Sequence, residues 1–273
     1  MHSSWQSLRV NWSSSVSFPE SIPSRETFYL EKISAGDFDA EWCTFTHVVD
    51  GTAVTYAVFT DALMIDGVRI NVTAAGAQRI ADMLDASLPT TYVADLMYAY
   101  SSNRLPPKPM PISSSVTAMV THSNAVRSSV VRGKLNSTVG KHWVLHPSLA
   151  GRPEKACNYG WHFDTSSRNT NVIGVKGFDP DNASLFQTNK NVKVIQPPGT
   201  VHNALHADYS QTCQLVSQTV RIDGMEVRFE DALVDSRYSK FLTGGGPCEV
   251  TRQPGVDRRT GPIVMLPMYI KGG

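Results

Sequence analysis

Between residues 42 and 71 apolar and polar residues alternate in short runs, and an Asp-Gly dipeptide separates each pair of runs. THVV and TAVTYAVF flank Asp50-Gly51, while DALMI and VRINV flank Asp66-Gly67. Both residues of such a dipeptide tolerate positive φ, so the spacing predicts two successive antiparallel hairpins. The period then changes. Thr73 stands at an N-cap position, and AAGAQRIADML places Ile80, Met83 and Leu84 on one helical face. After the Leu88-Pro89-Thr90 break, Thr90 or Thr91 caps a second helix through YVADLMYAY, with Val93, Leu96, Met97 and Tyr100 as its buried stripe. LPPKPMP at 105 to 111 reads as a polyproline-like connector, and SSSVTAMVTHSNAVRSSVV as a third helix ending at Gly133.

Beyond Gly140 the period returns to two. KHWVL, KACNYGWHF, VKVIQ and a long run from His206 to Ile222 read as strands, and Asp223-Gly224 turns the last of these into MEVRF. A short helix around EDALVDSRYSKFL, the TGGGP turn, VTRQP and IVMLPMYI complete the chain. Strands and helices are segregated rather than alternating. The expected class is therefore α+β, with antiparallel hairpin-rich sheets and a central group of about three helices. Three stretches follow: an extended Ser- and Pro-rich arm over 1–25, a small sheet plus helical region over 26–135, and a mainly β region over 136–273 that carries the candidate chemistry.

Composition narrows the classes of function. A chain of 273 residues, 41% hydrophobic and 18% charged, has an ordinary globular make-up. With 25 basic and 24 acidic residues the net charge is +1, which offers no field for a nucleic acid. No window approaches the roughly 18 uninterrupted apolar residues of a membrane span. The first residues have neither a basic n-region nor an apolar core, so no signal peptide is expected and the chain reads as cytoplasmic or phage-associated. Cys43, Cys157, Cys213 and Cys248 are widely separated and form no CxxC pair, which suits reduced structural thiols better than a zinc knuckle.

The densest candidate chemistry is TVHNALHADYSQ, residues 200 to 211. As a strand it would turn His206, Asp208, Ser210 and Thr212 to one face and Ala207, Tyr209, Gln211 and Cys213 to the other. His202, on the loop leaving Pro197-Pro198-Gly199, could face Asp208 as an acid/base pair, because a carboxylate orients an imidazole and stabilises its protonated form. Ser210 shares that face, but the sharp GxSxG turn of a nucleophilic serine is absent. His162, in NYGWHF beside Gly160, and Lys141, in GKHWVLH, are the other reactive side chains of this half. An alternative arrangement is a zinc site: His202, His206 and Asp208 form an HxxxHxD string, with His162 as a further ligand.

The order AQRIADML, LPT, LPPKP, GKHWVL, YGWH, and TVH followed by DYS resembles a family of uncharacterised bacterial and phage-borne proteins. In that family the segments read AQRIAD, LPT, KKDVV, YGWH and VHVDWYVDYSHGIRL. The likeness covers roughly residues 60 to 220 and brings no assigned activity. It implies that Lys141, Tyr159, Gly160, Trp161, His162, His202, Asp208, Tyr209 and Ser210 are motif positions. His206 stands where the family has an aromatic residue, and Gln211 where it has histidine. The resemblance thus favours a cofactor-free centre of His162, His202, Asp208 and Lys141 over a zinc site built on His206.

The expected function is a phage lysin-like hydrolase or lyase acting on a peptide or glycan polymer of the cell envelope. His202 would be the base, Asp208 its orienting carboxylate, and His162 or Lys141 the group that binds developing negative charge. Tyr159, Trp161, Tyr209 and Ser210 would contact substrate, with Trp143, Tyr159 and Trp161 suited to stacking on sugars. The alternative is a non-enzymatic phage particle subunit or glycan-binding module that assembles with copies of itself or with a host surface.

Overall fold

The computed structural model describes residues 17–137, 139–164, 192–258 and 263–264. Helix α1 (Ile22–Ser34) comes first; the Ser21 hydroxyl caps it by accepting the Ser24 N–H at 3.3 Å, and proline stands in its first turn. Ser21 and Pro23 form an N-cap and first-turn proline signature within the stretch expected to be an extended arm, so helix replaces extended chain from Ile22. The rest of that arm, residues 1–16, lies outside the described residues.

Strands β1 (Trp42–Val49) and β2 (Thr52–Phe59) pair along their whole length across Asp50 (φ 51°) and Gly51 (φ 81°). Strands β3 (Met64–Ile65) and β4 (Val68–Arg69) pair across Asp66-Gly67, so both Asp-Gly hairpins form where the alternation places them. Helix α2 (Ala74–Met83) is capped by the Thr73 hydroxyl, which accepts the Gly76 N–H at 2.9 Å. After β5 (Ala86–Ser87), helix α3 (Thr91–Ala99) is capped by Thr90 in the same way, at 3.1 Å from the Val93 N–H. Val93, Leu96 and Met97 are buried, as expected. Tyr100 instead caps α3 and stacks on Phe45 with part of its ring exposed, while Tyr98 is the tyrosine that turns inward. Strand β6 (Asn103–Arg104) follows, and α4 (Val116–Arg127), capped by Ser115, stops well short of Gly133.

The remaining elements are β7 (Asn136–Ser137), β8 (Lys141–Val144), β9 (Cys157–Asp164), β10 (Val192–Gly199), β11 (Val216–Ser217), β12 (Thr219–Ile222), β13 (Met225–Arg228), α5 (Phe229–Val234) and α6 (Ser239–Thr243). The largest sheet runs β13-β12-β2-β11-β5, with β1 on the opposite edge of β2. It therefore takes strands from both the 26–135 and the 136–273 stretches. A second antiparallel sheet runs β10-β9-β8. The architecture is α+β. Among the described residues no helix is long and apolar enough to cross a membrane.

The His206–Ile222 run is not one strand. Residues 206 to 215 cross the molecule through turns and isolated pairings, Asn71 with Thr212 and Lys141 with Gln211, and only β11 and β12 are extended. The Asp208 carboxylate accepts the Ser210 N–H at 2.7 Å, an Asx turn that competes with strand pairing. The two-faced alternation of His206, Asp208, Ser210 and Thr212 is lost with it. The helix expected through EDALVDSRYSKFL is likewise broken into α5 and α6, because Asp235 is extended and its carboxylate accepts the Arg237 N–H at 2.9 Å. VTRQP is irregular, and IVMLPMYI falls largely outside the described residues.

Candidate functional site

Lys141 and Asp208 meet because residues 210 to 212 lie directly on the start of β8. A Cβ at Gly140 would overlap the Thr212 hydroxyl and stand 2.6 Å from the Ser210 carbonyl oxygen, so only glycine permits that approach. Two backbone bonds fix the contact: Lys141 N–H to Ser210 O at 2.7 Å, and Thr212 N–H to Lys141 O at 3.2 Å. The Lys141 ammonium then reaches Asp208 Oδ2 at 3.1 Å and lies 5.3 Å from the Trp161 ring centre.

Asp208 is buried and fully engaged. Its Oδ1 accepts the Ser210 N–H at 2.7 Å and the Ser210 hydroxyl at 2.5 Å, and the Gln211 amide approaches Oδ2 at 3.3 Å. Burial pushes this carboxyl up, but the Lys141 charge and the Ser210 hydrogen bonds outweigh it and hold the group below the usual carboxylate range. Tyr209 packs on Trp161 and exchanges hydrogen bonds with the Met110 backbone, donating at 2.7 Å and accepting at 2.5 Å. Lys141, Asp208, Ser210, Tyr209 and Trp161 thus form one connected unit.

His202 and His206 lie beside it. Their rings are stacked face to face, 4.1 Å apart and 7° from parallel, and His202 also meets the Trp143 ring edge-on at 6.2 Å. Both histidines are half-buried. Partial burial lowers the pKa of His202, assisted by repulsion from His206 and Lys141 and opposed by Asp208. Burial also lowers His206, opposed by Asp208 and assisted by Lys141. Both shifts favour the neutral ring, the form able to accept a proton.

His206 and Asp208 face an open cleft of about 440 Å³. One lip is residues 112 to 114, ahead of α4, with Ile22 of α1; the other is Asn203 with residues 205 to 208. Sequence reasoning missed the first lip, since nothing in a serine run marks it as facing a histidine loop more than eighty residues away.

His162 belongs elsewhere. Gly160 (φ 127°) and Trp161 (φ 58°) break the two-residue alternation of β9, so Tyr159 and His162 come to the same side. Both donate to one oxygen: the Tyr159 hydroxyl and His162 Nε2 each stand 2.5 Å from Asp95 Oδ1 on α3. Tyr98 stacks on His162 at 5.1 Å. His142, which pairs with Tyr159 across β8 and β9, is buried with neither ring nitrogen hydrogen-bonded among the described residues; burial and the nearby His162 push it down to about 3. The expected His162, His202, Asp208 and Lys141 centre is therefore divided. Lys141 and Asp208 are joined, His202 stacks beside them, and His162 is wholly buried against Asp95.

Tyr159, Trp161, Tyr209 and Ser210, expected to touch substrate, are all buried. The zinc alternative of His162, His202, His206 and Asp208 is split by the same separation. Among the described residues no group of three or more His, Cys, Asp or Glu side chains is arranged to hold a metal ion. All four cysteines are free. Compared with protein-family models, with curated proteins and with solved structures, the chain matches none.

Proposed function

We propose that the cleft beside the Lys141–Asp208 pair is the active site of a hydrolase or lyase acting on a peptide or glycan polymer of the cell envelope. The observation that carries this reading is an imidazole, His206, lining an open cleft next to a buried carboxylate, with its own partial burial favouring the neutral ring. An imidazole held neutral can take a proton from water or from a carbon acid and return it to a leaving group. His202 stacks against it and fixes the ring plane, while Lys141 and Asp208 set the local field. No cofactor enters this scheme, and an open cleft suits an extended chain better than an enclosed small molecule.

One observation favours the second reading, a glycan-binding module or a particle subunit that assembles with its own copies. Asp208 already receives hydrogen bonds from Lys141, Ser210 and Gln211, which is how a structural staple is built. Incubation with isolated cell walls and polysaccharides separates the two. In the enzyme reading soluble chain ends accumulate, His206→Ala lowers their rate by about 10²-fold or more, and a chelator leaves the rate unchanged. Equal rates for parent and variant would remove His206 from the chemistry. A chelator-sensitive rate would restore a zinc ion. Cosedimentation with the walls and no released ends would establish the binding module.

A further inference from the structure

We infer that the polymer taken by this cleft is a peptide bearing aliphatic side chains, not a glycan; this rests on the acid–base reading of the same site. Sugar-binding grooves present the face of an exposed aromatic ring to the apolar face of a pyranose. Here Trp143, Tyr159, Trp161 and Tyr209 are all buried, and none of the described lining residues is Phe, Tyr or Trp. What the cleft exposes is aliphatic. Ile112 is 83% exposed on one lip and Leu205 is 67% exposed on the other. A single exposed aliphatic residue is ordinary, but two on facing lips form an apolar rim that a ligand would cover.

The polar groups of the two lips suit amides. Ser114 is exposed, and Asn203, whose side-chain Oδ1 accepts the Leu205 N–H at 2.9 Å, has its NH₂ for a peptide carbonyl. Charge points the same way. Among the described lining residues there is no lysine or arginine to hold a uronate or phosphate-bearing glycan, and the carboxylate of that lining, Asp208, is paired with Lys141. An extended peptide alternates its side chains, so it can set aliphatic groups against Ile112 and Leu205 while its backbone faces the floor.

The reaction balances with water alone. His206 takes a proton from water, the oxygen adds to the peptide carbonyl carbon, and the C–N bond breaks. The proton on His206 passes to the leaving nitrogen, giving one carboxylic acid and one amine.

Isolated cell walls digested with the parent chain test this when new amino groups and new reducing or unsaturated sugar ends are measured separately. Amino groups should rise while sugar ends stay constant. Ile112→Ser combined with Leu205→Ser should raise KM about tenfold with kcat held, a size set by losing partial burial of two aliphatic side chains. Both positions are exposed, so the unfolding midpoint should not move. Release of sugar ends would overturn the peptide assignment and leave the acid–base site standing. An unchanged KM would remove the lips from recognition, and no product of either kind would overturn both readings.

Discussion

His162 and His206 lie in the same half of the chain, each near a carboxylate, yet they occupy opposite physical situations. Around His162 the acceptor is Asp95, the neighbours are Tyr98, Tyr159 and His142, and packing closes every approach. Around His206 the carboxylate is already neutralised by Lys141, a second imidazole covers one ring face, and a cleft opens beside it. Residue type is shared, so burial separates the roles. A histidine that solvent cannot reach holds the core together, and one at a cleft can exchange protons.

The sharpest way to break that comparison is Asp95→Ala. It removes the acceptor shared by Tyr159 and His162 and leaves both side chains buried without it. Leaving a buried donor without its acceptor costs about 1–3 kcal/mol for each group, which urea unfolding would read directly. A cost below about 1 kcal/mol, the range of an ordinary surface change, would show that the cluster is not structural.

Lys141→Met comes next and acts on the cleft. It leaves the buried Asp208 carboxylate with Ser210 and Gln211 alone, a cost of about 2 kcal/mol near pH 7. The pH dependence has a definite sign. Asp208 is held below its ordinary value in the folded chain, so its contribution is present above that value and lost as pH falls through the lower folded one. In Lys141→Met this acid limb should shrink, as seen in unfolding midpoints taken below pH 4. An unchanged limb would show that Lys141 is not what holds Asp208 ionised.

A third experiment turns on His142, which has no hydrogen-bonded nitrogen among the described residues and a pKa of about 3. The unfolded chain binds this proton first, so stability is full above about 6.5 and is lost as pH falls toward 3. One such group steepens the decline by about 1.4 kcal/mol per pH unit. His142→Leu should remove that slope. The slope from His122, also buried and pushed down to about 4, should remain.

How much of this could be read from sequence depends on whether the signal is local. The Asp50-Gly51, Asp66-Gly67 and Asp223-Gly224 turns all form, as do the Thr73 and Thr90 caps, because each is decided within a few residues. Helix α1 was legible too, in Ser21 and Pro23, but the serine-rich composition around it argued for an arm. Asp95 was not legible. It sits among the apolar residues of α3, and its partners Tyr159 and His162 are more than sixty positions away. The meeting of Lys141 with Asp208 is half legible: both are reactive side chains of one half of the chain, but the close approach that joins them depends on Gly140, whose role shows only in three dimensions.

His206→Ala is the smallest perturbation of the fold and isolates the open histidine pair. The ring is half-buried and its loss removes one stacking contact, so the stability cost should stay near 1 kcal/mol. The informative readout is His202. Its pKa is lowered first by burial and then by repulsion from His206, so removing His206 should raise it toward the ordinary value. An NMR titration of the His202 ring protons would follow this shift. A His202 titration that does not change would mean the two rings are not coupled, and His206 would then stand at the cleft as a base independent of His202.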